Sequence, residues 1–247
     1  MILGLVSILL INLVDTFYIS LIGDKELVAI SFTFPVTFTI MSFSFGIGIS
    51  ASAVISRAIG EGNTKKVKRL TTDSLSLVSI IILSVAGLSF FNLDFIFYSI
   101  GATNEYLILI KEYMIPWLLG VVFVVIPIVG NNAIRATGDA KTPSIIMVIM
   151  ALVNAILDPI LIFGLGPFPE LGIKGAAFST VFSYFIIMIV GFWVLGVREK
   201  MLTKTILKFD EILNSWQELL HIGVPAMFSQ LLLPISTLIL TRIAADL

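Results

Sequence analysis

Long apolar stretches alternate with short polar connections along almost the whole chain. The runs Leu75–Phe91, Pro143–Phe163 and Ile173–Val197 each carry at most one charged residue. About 20 apolar residues are enough to cross the hydrocarbon core of a bilayer as a helix. Apolar and polar residues do not alternate within these runs, which argues against the strands of a membrane β-barrel. The pattern therefore predicts an all-α fold, a polytopic bundle of transmembrane helices.

Seven segments have the length and apolar character of a membrane span. They cover residues 1–22, 28–56, 70–91, 107–133, 143–163, 172–197 and 223–247. Span 2 contains Gly46 and Ser50 at a small-xxx-small spacing, which predicts close packing against another helix.

The segment between spans 6 and 7 differs from the other connections. Residues 198–222 mix charged and apolar positions at a helical period, which predicts an amphipathic linker helix on the cytoplasmic membrane face. A partner-binding helix is the alternative. The last span aligns without gaps on the first, with Ser229 on Ser7 and Leu231 on Leu9. We therefore predict a six-helix lobe (1–197), a linker (198–222) and the first helix of a second lobe (223–247).

Composition agrees with a membrane protein and narrows the chemistry. The chain is 58% hydrophobic and 13% charged, whereas soluble domains are about 25% charged; its mean hydropathy is +1.09. Cysteine is absent and His221 is the single histidine, so thiolate sites are excluded and a histidine-based metal site is not expected. The sequence contains no recognisable nucleophile–base pair or phosphate loop, so we expect no enzymatic activity.

Lysine and arginine are distributed unevenly between alternate connections. Eleven lie in connections 2–3, 4–5 and 6–7, whereas three, Lys25, Lys111 and Lys174, lie on the opposite side. Cytoplasmic loops carry the excess of basic residues in membrane proteins. We therefore predict a multi-pass protein of the cell membrane with a cytoplasmic N-terminus. The cluster Lys65–Arg69 then meets acidic lipid head groups, and nucleic-acid binding is not expected.

Two carboxylates lie inside the predicted spans, away from the span ends. Asp15 precedes the outer end of span 1 by seven residues, and Asp158 precedes the outer end of span 5 by five. At a rise of about 1.5 Å per residue, both lie in the outer half of the bilayer at similar depth. A charge at mid-helix costs ~2.5–3.5 kcal/mol on insertion, and such acids are functional by default. We predict one shared site; the alternative is structural acids bonded to hydroxyl groups such as Thr16 or Tyr18.

Each acid has an amide side chain on its own helical face. Asn12 precedes Asp15 by three residues and Asn154 precedes Asp158 by four, spacings that bring side chains together on a helix. Pro159 lacks a backbone N–H and so frees a carbonyl one turn earlier. Carboxylate, amide and carbonyl oxygens suit a small hard cation such as Na⁺, and a buried carboxyl group can exchange protons near neutral pH. No cofactor is predicted beyond H⁺ or Na⁺ as the coupling ion.

Five collinear segments together resemble the multidrug and toxic compound extrusion (MATE) family. They are NLVDTFYISLIGDKELVA (12–29), SRAIGEGNTKKVKRL (56–70), NNAIRATGDAKTPSIIM (131–147), NAILDPILIFG (154–164) and LGIKGAAFSTVFS (171–183). The resemblance implies two six-helix lobes that export mostly cationic organic molecules in exchange for H⁺ or Na⁺. Because family members run to roughly twice this length, we interpret the chain as the N-terminal lobe plus the start of a second lobe. The missing C-terminal lobe is then its expected partner.

The resemblance also implies a cation site in the N-terminal lobe. The family's acid on helix 1 matches Asp15 in NLVD, and its amide and acid on helix 5 match Asn154 and Asp158 in NAILDP. Its threonine on helix 6 matches Thr180 in GAAFST. These matches coincide with the pair of acids that span depth alone brings together.

Other residues take lesser roles. We expect Asn12 to line the same cavity, and the resemblance implies this more loosely for Asn131. Arg135 and Gly138 in NAIRATGD match the family's cytoplasmic turn. That match implies topology and packing rather than chemistry.

These observations together predict a secondary antiporter. It exports small, drug-like and often cationic organic molecules across the membrane in exchange for H⁺ or Na⁺. Two alternatives stay open. One is a lipid-linked precursor flippase of the same superfold, which would tolerate loss of the acids. The other is a non-transporting membrane subunit, which the short chain favours.

Overall fold

The computed structural model describes residues 2–203 and 209–245, and the side chains of residues 11–203 and 209–243. Residues 204–208 of the predicted linker and 246–247 of the last predicted span lie outside this part of the chain, as do the side chains of Ser7 and Leu9. The described helices are α1 (Ile2–Ser20), α2 (Asp24–Gly60), α3 (Thr64–Phe91), α4 (Leu93–Ile100), α5 (Asn104–Ala136), α6 (Lys141–Phe163), α7 (Ile173–Trp193), a π-helical turn (Val194–Arg198), α8 (Phe209–Gln230) and α9 (Leu232–Ala245).

The predicted all-α transmembrane architecture is confirmed, with no strand in the described residues. Six helical stretches with described side chains are long and apolar enough to cross a membrane: Asp24–Gly60, Thr64–Phe91, Asn104–Ala136, Lys141–Phe163, Ile173–Arg198 and Phe209–Ile243. Predicted spans 1 to 6 correspond to α1, α2, α3, α5, α6 and α7. Large apolar side chains such as Leu83, Ile156 and Phe182 are exposed, as expected of a surface that meets lipid.

The sequence did not predict the short helix α4 between spans 3 and 4. Its residues Leu93, Phe97 and Ile100 are buried, at helical spacing on one face. Gly101 ends the helix with φ 103°, a left-handed conformation that suits glycine. A helix of eight residues is too short to show a clear hydrophobic period, so the sequence predicts only a connection between spans 3 and 4.

Helices α2 and α5 form the centre of the bundle, and α2 also packs along α8. A Cβ atom on Gly46 would lie 2.3 Å from Met227 Cγ and 2.8 Å from the Met227 backbone nitrogen. The Ser50 hydroxyl on α2 donates to the backbone oxygen of Leu219, which lies on α8 like Met227. The small-xxx-small pair therefore seats α8 closely on α2, and the predicted close packing is confirmed.

Helix α8 differs from the linker that the sequence predicted. It runs without interruption from Phe209 to Gln230, so the boundary placed between 222 and 223 falls inside one helix. The helix buries Ser215, Leu219 and Gly223 against neighbouring helices. The position of this segment on the membrane face stays a prediction; the structure shows that it packs on α2 and α3, where small residues on both sides allow close approach.

The connection from α5 to α6 is a tight turn that α7 braces. Gly138 has φ 89°, and Asp139 accepts the backbone N–H groups of Lys141 (3.0 Å) and Thr142 (2.9 Å). Arg198, at the end of the π-helical turn, pairs with Asp139 and donates to the Thr142 hydroxyl at 2.8 Å. The Thr142 side-chain and backbone donors, with Arg198, hold the pKa of Asp139 well below its usual range. The turn role implied for Gly138 agrees with this conformation.

Candidate functional site

Helices α1 and α6 pack side by side and bring the two intramembrane acids together. The carboxyl groups of Asp15 and Asp158 lie within hydrogen-bonding reach of each other. Asp158 is 0% exposed, and Asp15 Oδ1 is likewise buried. The juxtaposition that span depth predicted is therefore present in the fold.

Two polar side chains complete the immediate surroundings of the acids. Asn154, one turn before Asp158 on α6, donates its amide to Asp158 Oδ1 at 3.3 Å and also reaches Asp15. Ser179 on α7 donates its hydroxyl to the same Asp158 oxygen. Three helices thus contribute to one polar cluster inside an apolar bundle.

Three oxygen atoms of this cluster, and the hydroxyl of Thr180 in the wall of the adjoining cavity, are buried without a hydrogen-bond partner in the described structure. They are Asp15 Oδ1, Asn154 Oδ1, Asp158 Oδ2 and Thr180 Oγ1. A buried polar atom normally has a partner, and two neighbouring carboxylates cannot both carry a full charge without compensation. Acceptor oxygens from carboxylate, amide and hydroxyl groups suit a proton or a small hard cation. The residues present therefore fit a positively charged ligand.

The structure separates the roles of two neighbouring residues on α7. Thr180, the residue that the resemblance implied, lines the adjoining cavity and has its hydroxyl buried. Ser179 contacts Asp158 directly, a contact that the sequence did not predict. Successive residues on a helix point about 100° apart, and the apolar sequence of α7 gave no signal of which one faces α6.

A cavity of about 450 Å³ adjoins the acid pair between α1, α2, α5, α6 and α7. Asp15 is in its wall, and Asn12 and Asn131 also line it. The α2 wall is an apolar stripe at helical spacing, formed by Phe34, Phe38, Met41, Phe45 and Ile49. Such a mixture of aromatic wall and few polar groups is typical of a small-molecule site.

Further lining residues were not predicted from the sequence. Tyr113 on α5 and Tyr184 on α7 line the same cavity as Asp15. Arg135 lines the part of the cavity formed by the end of α5, although the resemblance implied a role in topology and packing for it. A helix that is apolar on every face carries no pattern that identifies its cavity side, so only the tertiary arrangement identified these residues.

A second buried acid lies between α3 and α8, away from the cavity. Asp73 is 2% exposed, and Arg69 Nε lies 3.5 Å from its Oδ2. Arg69 also pairs with Glu211 on α8 at 3.1 Å, and Trp216 donates its indole N–H to the Asp73 backbone oxygen at 3.2 Å. The structure therefore buries this acid beside a cation.

No group of three or more histidine, cysteine, aspartate or glutamate side chains that could hold a metal ion occurs among the described residues. A site at Asp15 and Asp158 would therefore depend on amide and hydroxyl oxygens besides its two carboxylates. That composition suits a monovalent ion or proton better than a tightly held transition metal.

Comparisons with known proteins agree with this architecture. The MatE family model matches residues 1–160. The chain is 38% identical over 244 residues to a protein of Shewanella oneidensis named FAD transporter, covering 99% of this chain and 54% of that protein. It is 29% identical over 257 residues to the multidrug export protein MepA of Staphylococcus aureus, covering 99% of this chain and 54% of MepA.

A solved structure shares the same fold. The Vibrio cholerae MATE transporter VcmN superposes with a TM-score of 0.88 at 29% sequence identity, covering 95% of this chain and 52% of VcmN. The chain thus spans about half the length of the relatives that it matches.

Proposed function

Because the chain belongs to the MatE family, we propose that the protein that carries it is a secondary antiporter of the cell membrane. It exports small organic molecules in exchange for H⁺ or Na⁺, and it has no enzymatic role. The basic connections support a cytoplasmic N-terminus. The single observation that carries the proposal is the cluster of unpartnered buried oxygens around Asp15 and Asp158.

The coupling ion acts at the acid pair. With both carboxyl groups ionised, their repulsion in a water-poor environment favours any arrangement that separates α1 from α6 or admits a cation. A proton or Na⁺ arriving from the outer side removes that repulsion and stabilises the packed arrangement. The bound ion therefore favours one conformation over another through its difference in affinity for the two.

Substrate release follows from the same change. Asp15 belongs both to the acid pair and to the cavity wall, so a shift of α1 alters the cavity directly. Pro159 follows Asp158 inside α6 and interrupts the backbone hydrogen bonds there, which makes this part of the helix able to bend. Ion loading then lowers substrate affinity and releases the molecule outward.

For the exported molecule we propose a drug-like organic compound, often cationic, as the first candidate. The name of the Staphylococcus aureus relative supports it. A second candidate is FAD or a similar flavin nucleotide, which the 38% identical relative named FAD transporter supports. Membrane lipid surrounds the bundle in either case.

An efflux assay tests the proposal. Asp158→Asn and Asp15→Asn, made in the protein that carries this chain, should reduce export of ethidium or FAD on the order of 10- to 100-fold, the size of a typical coupling between sites. Asp24→Asn changes an exposed acid near the same end of the bundle and should leave export unchanged. Unimpaired export by Asp158→Asn would remove the acid pair from the mechanism.

Reconstituted vesicles identify the coupling ion. An imposed pH gradient in Na⁺-free buffer should drive uptake or release of the substrate if H⁺ couples, and a Na⁺ gradient at constant pH should do so if Na⁺ couples. Transport of lipid-linked precursors that survives Asp158→Asn would instead favour a flippase. Absence of any transport would favour a non-transporting subunit.

A further inference from the structure

Arg135 differs from Arg69 and Arg198 in its partners. Its guanidinium lines the cavity, and its one described contact is a 3.7 Å approach of Nη2 to the sulfur of Met147. No carboxylate pairs with it in the described part of the chain. Arg69 and Arg198, by comparison, each form ion pairs with carboxylates.

A partly buried cation without a counter-charge is costly inside a bundle. Its five N–H donors form a planar fork that matches phosphate or carboxylate groups. Asn131 lies one turn earlier on α5, is 4% exposed and also lines the cavity. The cavity wall therefore presents a cation and an amide on one helical face.

We propose that Arg135 and Asn131 form an anion-binding subsite for a phosphate or carboxylate group of the transported molecule. The apolar stripe on α2, from Phe34 to Ile49, receives the aromatic or apolar remainder. This rests on the proposed function, because it takes the cavity as part of the transport path. It changes the expected substrate class from simple organic cations to organic anions and zwitterions.

The subsite lies apart from the acid pair. Tyr113 lies within electrostatic range of both acids, and Arg135 follows it by 22 residues on the same helix, which corresponds to roughly 33 Å along the axis. An anion at Arg135 and a cation at the acid pair therefore occupy different parts of the cavity.

Two ligands that differ by one phosphate test the subsite. Riboflavin and riboflavin 5′-monophosphate share a ring system, and their affinities for the purified, detergent-solubilised protein that carries this chain can be compared by calorimetry. We expect the phosphate ester to bind roughly tenfold or more tightly, as a charge-assisted hydrogen-bonded pair allows. Arg135→Gln should abolish that preference while leaving riboflavin affinity unchanged, and Arg135→Lys should restore part of it.

Arg57→Gln is the matched control, since Arg57 is an exposed arginine at the end of α2 outside the cavity wall. It should alter neither affinity. Equal affinity of the two ligands for the wild type, including no measurable binding of either, overturns the subsite, and so does an equal loss for both in Arg135→Gln. The assay requires no transport, so a failure of ion-coupled export would appear in the efflux measurement and leave the phosphate preference intact.

Discussion

Two regions of the bundle each bury an aspartate, and the two aspartates differ in the charge that lies beside them. Asp73, between α3 and α8, has Arg69 at 3.5 Å, and that arginine continues to Glu211. Asp158, between α6 and α7, has another acid, Asp15, as its charged neighbour. Its donors are the Asn154 amide and the Ser179 hydroxyl. The fold places a cation beside Asp73. Asp158 has no such neighbour among the described residues, so compensation of its charge depends on a proton or cation from solution.

This difference teaches that burial alone does not identify a functional acid. An aspartate beside an arginine has its counter-charge within the fold, and removing either partner leaves the other charge without it. An aspartate beside a second acid and unpartnered oxygens changes its energy whenever a proton or cation arrives. The identity of the neighbouring charge therefore separates a structural acid from a candidate coupling site.

The largest expected effect on stability comes from removing the charge of Asp73, and we compare it with removing the charge of Asp158. Asp73→Asn leaves Arg69 with Glu211 as its remaining acidic partner and should destabilise the protein by about 2–4 kcal/mol, since breaking a buried pair is costly. Asp158→Asn removes a like charge from beside Asp15 and should be neutral or stabilising. Thermal unfolding in detergent measures both variants. Equal destabilisation by the two substitutions would contradict the comparison.

The second prediction concerns the helix that completes the Asp73 region. Gly46→Ala places a Cβ atom 2.8–2.9 Å from backbone atoms of Met227, so α8 must move away from α2, at a cost of about 1–3 kcal/mol. Gly87→Ala is the control, because a Cβ there meets nothing within 4 Å and should stabilise helix α3 by ~0.5–1 kcal/mol.

The displacement of α8 should weaken the cluster around Asp73 more than the acid pair. Trp216 donates to the Asp73 backbone, so its fluorescence reports the displacement once every other tryptophan has been replaced by phenylalanine. In Gly46→Ala we expect a changed Trp216 signal together with a lower unfolding temperature. A lower unfolding temperature without that signal would place the damage elsewhere.

The third prediction separates the two neighbouring hydroxyl groups on α7. Ser179→Ala removes a donor from Asp158 and should cost about 1 kcal/mol of stability. Thr180→Val replaces a hydroxyl that has no described partner with a methyl of similar size and should not destabilise. It should instead weaken the dependence of transport on H⁺ or Na⁺. If Thr180→Val lowers stability and leaves ion dependence intact, the Thr180 oxygen is structural.

The smallest effect is expected outside the membrane, where Asp139 provides a third, well-satisfied acid. Since hydrogen bonds and Arg198 lower the pKa of Asp139, its contribution to stability is present above the unfolded-state pKa of about 3.9. It is lost as the pH falls below that value. Asp139→Asn should therefore cost less than about 1 kcal/mol at pH 7, because the pair is partly solvated. The difference from wild type, followed by thermal unfolding, should shrink towards pH 3; a constant difference would contradict the assignment.

Several features of the site were predictable from residue order. Asp15 and Asp158 were placed at one depth because helical rise converts sequence distance into membrane depth. Asn154 was placed beside Asp158 because side chains four residues apart share a helical face. Gly46 and Ser50 predicted a close helix contact, although not that α8 would be the partner. Each of these inferences uses geometry within one helix, which the sequence carries.

The remaining features depend on how helices are rotated about their axes. Ser179 rather than Thr180 contacts Asp158, and Arg135 faces a cavity rather than the turn beside it. In the apolar helices α5 and α7 neither polarity nor periodicity reports which side faces a neighbour. The end of the linker was missed for a related reason, since small residues let α8 continue against α2 where its charges suggested a membrane surface.

The order of residues by itself predicted the first six spans, the side of the basic connections and two acids at a common level, whereas the seventh predicted span falls across the end of α8 and α9. These follow from hydropathy and helical rise, which are local properties of the chain. Only the tertiary structure decided which charged side chains lie together: Asp73 lies beside Arg69, and Asp158 lies beside Asp15. Contacts between helices depend on rotation and packing, and these are settled by the whole set of neighbours at once.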